Sequence, residues 1–226
     1  GNGYWLYFQN PDSSLINGSP ITNLAVTLSS GWNLISGISE EVTIANISDP
    51  DGIIVPGTLY GFNETYYNTT ILSPGKGYWV GAFADGNITI SNNRTAKTTH
   101  FSDLTEEANK LTINGRDLYF GVSVPDNEIL RYQLPPKPPQ DVLDIRFSDN
   151  MKIVESSGII DLTNHFEKIE ISYVINIEME ENIRWVLTLD SGYEYELNNK
   201  GEFTIDQDVT NITLKKVYNE LSEYDI

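Results

Sequence analysis

The chain has 226 residues, no cysteine and a net charge of −18. Lack of cysteine excludes disulfides, thiolate catalysis and Cys-ligated metals, and an acidic field works against nucleic acid and anionic membrane. No apolar run approaches the ~20 residues that a membrane-spanning helix needs.

The opening residues, Gly1-Asn2-Gly3-Tyr4-Trp5-Leu6, read Gly-x-Gly-Tyr-Trp followed by an aliphatic residue, and Gly75-Lys76-Gly77-Tyr78-Trp79-Val80 says the same again. A repeat of this kind is a statement about architecture. Each copy predicts a tight turn feeding a strand, over 3–8 and 77–83, because paired glycines permit the turn and the aromatic pair favours the strand. Strand alternation sends Tyr78 and Trp79 to opposite faces. Trp5 and Trp79 are expected in the core; the alternative is that one aromatic of each pair is a binding platform. A repeat that begins at residue 1 suggests a mature fragment or a piece of a longer protein.

A loop at Asn10-Pro11-Asp12 and a turn at Asn17-Gly18-Ser19-Pro20 precede an alternating strand over 21–28. A second strand opens at Gly31-Trp32. Ser39-Glu40-Glu41 suits a cap for one helical turn running to Asn46. Strands at 57–62 and 65–68 form a hairpin around Asn63-Glu64, and the Asp85-Gly86-Asn87 turn leads to a strand over 88–90. Short strands with frequent turns indicate an antiparallel β region.

Leu28-Ser29-Ser30-Gly31-Trp32-Asn33-Leu34-Ile35-Ser36, followed by Leu72-Ser73-Pro74-Gly75-Lys76-Gly77-Tyr78-Trp79-Val80, resembles a module of secreted bacterial surface proteins. A GWNLIS strand opens that unit and a PGKGYWV strand closes it; the match covers roughly residues 21–90. The resemblance implies an extracellular β module and carries over no catalytic residue.

Residues 91–140 are a transition. Residues 92–99 form a polar linker, 103–110 a short helical turn, and Asn114-Gly115 the turn of a hairpin whose second strand runs over 118–124. Pro135-Pro136-Lys137-Pro138-Pro139 predicts a stiff polyproline spacer. Leu134-Pro135-Pro136-x-Pro138-Pro139 followed by Asp144-Ile145-Arg146-Phe147 resembles a segment of secreted Bacteroidetes-type proteins, in which an LPPxPP…FDxRF run introduces an immunoglobulin-like domain. From residue 141 onward, seven or eight short strands suit a β-sandwich with Trp185 in its core. The tail from 218 is acidic.

The expected fold is therefore all-β: tandem antiparallel β modules, the C-terminal one an immunoglobulin-like β-sandwich. Its segments are a GWNLIS/GxGYW module over 1–97, a hairpin and proline-rich connection over 98–140, and the sandwich with its acidic tail over 141–226.

The chemistry is sparse. His100 and His165 have no local partner pattern, and no nucleophile elbow, phosphate loop or dinucleotide fingerprint occurs. No enzyme and no cofactor is expected. Asp49-x-Asp51-Gly52 and Asp206-x-Asp208 each offer two oxygens to Ca²⁺, which wants 6–8; solvated turns are the preferred reading. Candidate ligand or interface aromatics are Trp5, Tyr7, Tyr66, Tyr67, Tyr78 and Trp79. Seven sequons make Asn17, Asn46, Asn63, Asn68, Asn87, Asn93 and Asn211 candidate glycan acceptors.

These features favour a non-catalytic structural or adhesive protein at the cell surface, with other copies of itself, neighbouring modules or surface glycans as partners. Nucleic acid and membrane insertion are not expected. If the 1–8 or the 211–217 strand is an unpaired edge, strand addition builds a fibre. The alternative is a carbohydrate-binding or accessory module of a larger secreted enzyme.

Overall fold

Alternating apolar residues between Gly-rich turns make strands almost throughout, and the fold is all-β, with several antiparallel sheets and one short parallel pair. The computed structural model describes residues 1–6, 10, 17–92, 102–139, 142–163, 168–176, 183–206, 209 and 211–218. The chain divides into two units, Gly1–Phe101 and Ser102–Ile226.

In the first unit the strands are β1 (Asn23–Leu28), β2 (Gly31–Ser36), β3 (Val42–Thr43), β4 (Tyr60–Asn63), β5 (Thr65–Asn68), β6 (Ile71–Leu72), β7 (Gly77–Ala82) and β8 (Gly86–Ser91). β2, β7, β4 and β5 form one sheet in that order, while β1 pairs with β8 and β3 with β6. The core takes Val26 and Leu28 from β1, Ile35 from β2, Tyr78, Val80 and Ala82 from β7, and Ile88 and Ile90 from β8. The expected helical turn running to Asn46 is present only in its last residues, as a 3-10 turn with no side-chain cap. Val42 and Thr43 pair with Leu72 and Ile71, leaving a single 3-10 turn at Ile44–Asn46. β-branched Thr43 and buried Val42 favour a strand there.

Glu64 sits at φ 60 in the turn between β4 and β5, as the hairpin requires. Across that hairpin Gly61 faces Tyr67. A Cβ at Gly61 would stand 2.4 Å from the Tyr67 ring, so the phenol lies directly on bare backbone.

The second unit holds β9 (Asn109–Ile113), β10 (Arg116–Phe120), a short helix α1 (Ile129–Tyr132), β11 (Asp144–Phe147), β12 (Ile153–Val154), β13 (Ser157–Thr163), β14 (Ile169–Val174), β15 (Ile183–Leu189), β16 (Glu194–Leu197), β17 (Lys200–Ile205) and β18 (Asn211–Tyr218). Two five-stranded sheets, β12-β10-β9-β14-β17 and β11-β13-β18-β15-β16, enclose one core. Leu111, Ile113, Leu118 and Phe120 meet Phe147, Ile160, Leu187, Ile212 and Leu214 there. Trp185 is buried edge-on to Phe120, ring centroids 4.7 Å apart.

The segment expected to connect two modules over 98–140 is corrected. Its β9–β10 hairpin, turning at Asn114 and Gly115 with positive φ, is built into the second unit, and the boundary falls after Phe101. The reason is burial: the inward side chains of both hairpin strands are core residues. Residues 122–124 leave the strand, and Val122 and Val124 pack beside buried Ala108, Tyr132 and Ile153.

The proline run is likewise fastened rather than free to act as a spacer. Arg146 is 0% exposed. Its Nε and Nη2 donate to the two carboxylate oxygens of Asp144, at 2.5 and 2.6 Å. Its Nη1 donates to the Pro135 carbonyl at 2.7 Å and to Asn150 Oδ1 at 3.0 Å. Asn150, at φ 62, also accepts from the Leu134 N–H at 2.6 Å. Farther along the run, Lys137 pairs with Asp161 at 3.1 Å. One guanidinium fork thus ties the Leu-Pro-Pro run to the Asp-x-Arg-Phe strand, which requires the planar geometry of arginine.

Tyr132 closes the small cluster beside this strap. Its hydroxyl oxygen accepts the Leu104 N–H at 2.9 Å. Burial pushes its phenol above the usual value, and the Leu104 hydrogen bond works in the opposite direction. A raised folded value adds stability that is complete below the unfolded phenol value of about 10 and is lost as pH rises through the folded one. The expected result is that Tyr132→Phe flattens the loss of second-unit stability above about pH 10, read by denaturant melts across alkaline pH. An unchanged slope refutes it.

Candidate functional site

The expected aromatics sort by register. Ile35 faces Tyr78 across β2 and β7, while Leu34 and Tyr60 both face Trp79. Directly opposed residues share a face. Tyr78 therefore joins the aliphatic core, where its hydroxyl accepts the Ser73 N–H at 2.9 Å. Trp79 lies on the outer face with Trp32, Leu34, Tyr60 and Phe62. The expectation that Trp79 anchors the core is corrected: the tyrosine, with its hydroxyl satisfied, takes that place. Trp79 is partly buried, and its indole N–H meets no acceptor among the described residues.

The first copy of the repeat is a strap rather than a full strand. Asn2 bridges to Ile35; the Gly3 N–H donates to the Leu34 carbonyl and the Ser36 N–H to the Gly1 carbonyl, both at 2.9 Å. After Gly3 the strap crosses the outer face. A Cβ at Gly77 would stand 3.9 Å from the Gly3 Cα, and one at Gly3 would come within 2.7 Å of the Leu34 side chain. The second glycine of each copy is bare where the two copies meet. Trp5 then lands edge-on against Phe62, centroids 4.7 Å apart, and near Tyr66 at 6.4 Å. Trp5, expected in the core, remains 40% exposed because it lies on this outer layer.

Of the sequence candidates, Trp5, Tyr66 and Trp79 share this face. Tyr67 lies on the opposite face over Gly61, Tyr78 is in the core, and Tyr7 lies outside the described residues. The rings cross at 83°, 75° and 64° rather than lying coplanar. Sequence reasoning missed Trp32 and Phe62, whose membership follows only from register.

The strap also bears an apolar surface. Tyr4 is 75% and Leu6 76% exposed, flanking Trp5.

Among the sequon asparagines, Asn17, Asn63, Asn68, Asn87 and Asn211 are exposed and Asn46 half-buried; Asn93 lies outside the described residues. The Asn68 amide nitrogen, where a glycan would attach, donates to the Gly57 carbonyl at 2.7 Å. In the Asp49-x-Asp51-Gly52 turn, the two Asp49 oxygens accept the Ile53 and Ile54 N–H groups at 2.9 and 2.8 Å, so this carboxylate is engaged by its own turn. Asp208 lies outside the described residues, and no cluster of three metal-ligating side chains occurs among those described. Among the described residues no helix is long and apolar enough to cross a membrane.

The candidate terminal edges are partly corrected. β18 pairs with both β13 and β15 and lies at the centre of its sheet, so it offers no free edge. It is central because alternate residues of the strand, Ile212 and Leu214, are needed in the core. No protein-family model matches the chain, and neither a curated protein nor a solved structure is found similar to it.

Proposed function

We propose that the chain is a non-catalytic, extracellular structural and adhesive protein whose contact surface on the first unit is the strap bearing Tyr4, Trp5 and Leu6. The observation that carries this reading is three consecutive exposed apolar side chains held on a sheet face by the backbone of residues 1–3 and by the Trp5–Phe62 contact. An exposed apolar patch on a folded surface is a mark of association. The GWNLIS and PGKGYWV resemblance supports a cell-surface setting, and two sheets closed over Trp185 support reading the second unit as immunoglobulin-like. Partners in this reading are copies of the chain and neighbouring modules, joined through side chains of the patch rather than through added strands. The edge-to-face rings of the first unit favour this over sugar stacking on that face.

The test is clustering of beads coated with the chain. Tyr4→Ser combined with Leu6→Ser is expected to reduce clustering about tenfold, which corresponds to about 1.4 kcal/mol of contact free energy. The circular-dichroism melt should stay unchanged, because both side chains are exposed. Undiminished clustering overturns the proposal.

A further inference from the structure

The second unit carries an aromatic groove at the seam between its two sheets. β16 is the edge strand of one sheet and β17 of the other. Stacked rings close the gap between them. Tyr195 from β16 lies on Phe203 from β17, centroids 4.1 Å apart and planes within 11°. Tyr173 of β14 continues the row at 6.4 Å from Phe203. Gly201, opposite Tyr173, makes room for it: a Cβ there would stand 2.5 Å from the phenol oxygen.

At the outer end of the row stands Tyr193. The turn after β15 places it: the Gly192 N–H donates to the Leu189 carbonyl and the Leu189 N–H to the Tyr193 carbonyl, both at 2.9 Å, with Gly192 at φ +83. Tyr193 is 61% exposed, and its ring centroid is 4.8 Å from that of Tyr195. Beside the two tyrosines opens a groove of about 560 Å³, walled otherwise by Ser191, Gly192, Thr204, Ile205 and Asp206. That volume lies within the range of small-ligand sites.

The lining selects among ligand classes. Residues 98–226 carry 25 acids against 11 bases, and Asp206 is in the wall, so an anion is repelled. Ca²⁺ wants 6–8 oxygens, and no group of three metal-ligating side chains occurs among the described residues. A strand commonly runs about 5–6 residues, whereas β17 contributes to the wall only its end, Thr204 and Ile205, before Asp206. The open ring face and the carboxylate suit a neutral ligand with an apolar face for a ring and hydroxyls for a carboxylate. We infer that this groove binds a neutral saccharide, stacked on the exposed Tyr193 ring and held at its hydroxyls by Asp206, with the Ser191 and Thr204 hydroxyls at the rim.

This inference concerns the other unit and stands apart from the adhesive patch on the strap. The test is binding of the whole chain to immobilised neutral gluco-, manno-, xylo- and galacto-oligosaccharides, with a polyuronate and an extended peptide as comparison probes. The wild type is expected to bind at least one neutral probe. Tyr193→Ala and Asp206→Asn are each expected to weaken that binding about tenfold. Both side chains are exposed, so an unchanged melt shows that the fold is intact. The Tyr4→Ser, Leu6→Ser variant should bind the same probe as wild type does, which separates failure of the groove from failure of the patch. No binding to any neutral probe, undiminished binding by both groove variants, or binding of the polyuronate or peptide alone overturns the inference.

Discussion

Arg146→Ala is expected to destabilise the second unit by about 3–5 kcal/mol, the cost of removing one partner from a buried ion pair. Total stability of a domain is about 5–15 kcal/mol, so the loss is a large share of what holds the unit together. Four acceptor oxygens depend on this one guanidinium: two on Asp144, one on Pro135 and one on Asn150. Truncation leaves the buried Asp144 carboxylate without its cation and the Pro135 carbonyl without its donor. Arg146→Lys should rescue little, because a single ammonium cannot present the fork that meets both Asp144 oxygens while reaching Pro135. The paired change Asp144→Leu with Arg146→Met should recover most of the loss, since an apolar pair leaves no buried charge. Hydrogen exchange of the β13 and β18 amides reads this unit specifically. Equal protection in wild type and Arg146→Ala would refute the clamp.

Trp185→Ala is expected to cost about 3–5 kcal/mol in the same unit, the usual range for truncating a buried aromatic. Trp185 is enclosed in the core against Phe120. The contrast is Trp5→Ala. That ring is partly exposed and lies over Phe62 on an outer face, so its loss should cost the first unit about 1 kcal/mol, the scale of an edge-to-face aromatic contact. Denaturant melts and amide exchange of both variants check the pair. Equal costs would mean that Trp5 is a core residue after all and that the strap is integral to the first unit.

Much of the first unit was legible because its signals are local. The Asp85-Gly86-Asn87 turn, alternating apolar residues and the Asn63-Glu64 reversal predicted β4, β5, β7 and β8 within a few residues. The second unit's strands were equally legible from 142 onward. Less legible was where the hairpin over 109–120 belongs. A proline-rich run nearby suggested a connection, but the hairpin's inward residues complete a core supplied largely by strands more than forty residues later.

The candidate sites show the same division. Aromatic composition made Trp5, Tyr7, Tyr66, Tyr67, Tyr78 and Trp79 candidates alike, although Trp5 and Trp79 were expected in the core, and the alternation rule separated Tyr78 from Trp79. Which of those two enters the core was a matter of register against β2, and the nearer sequence gives no hint of it. The Tyr193 groove was not legible at all. Tyr195 and Phe203 are short-range neighbours in sequence, yet they belong to different sheets and meet only because the chain switches sheets between them.

By itself, then, the sequence determined the all-β class and the turns, which depend on residues within one turn or strand of each other, and the lack of thiol chemistry and the acidic charge, which depend on composition alone. Only the tertiary structure decided which aromatic of the second repeat copy is buried, that β18 is central rather than an edge, and that Arg146 binds the proline run to its own unit. The first two rest on register and sheet order, relations between residues far apart along the chain; the third rests on the satisfaction of a buried charge within the 135–150 stretch.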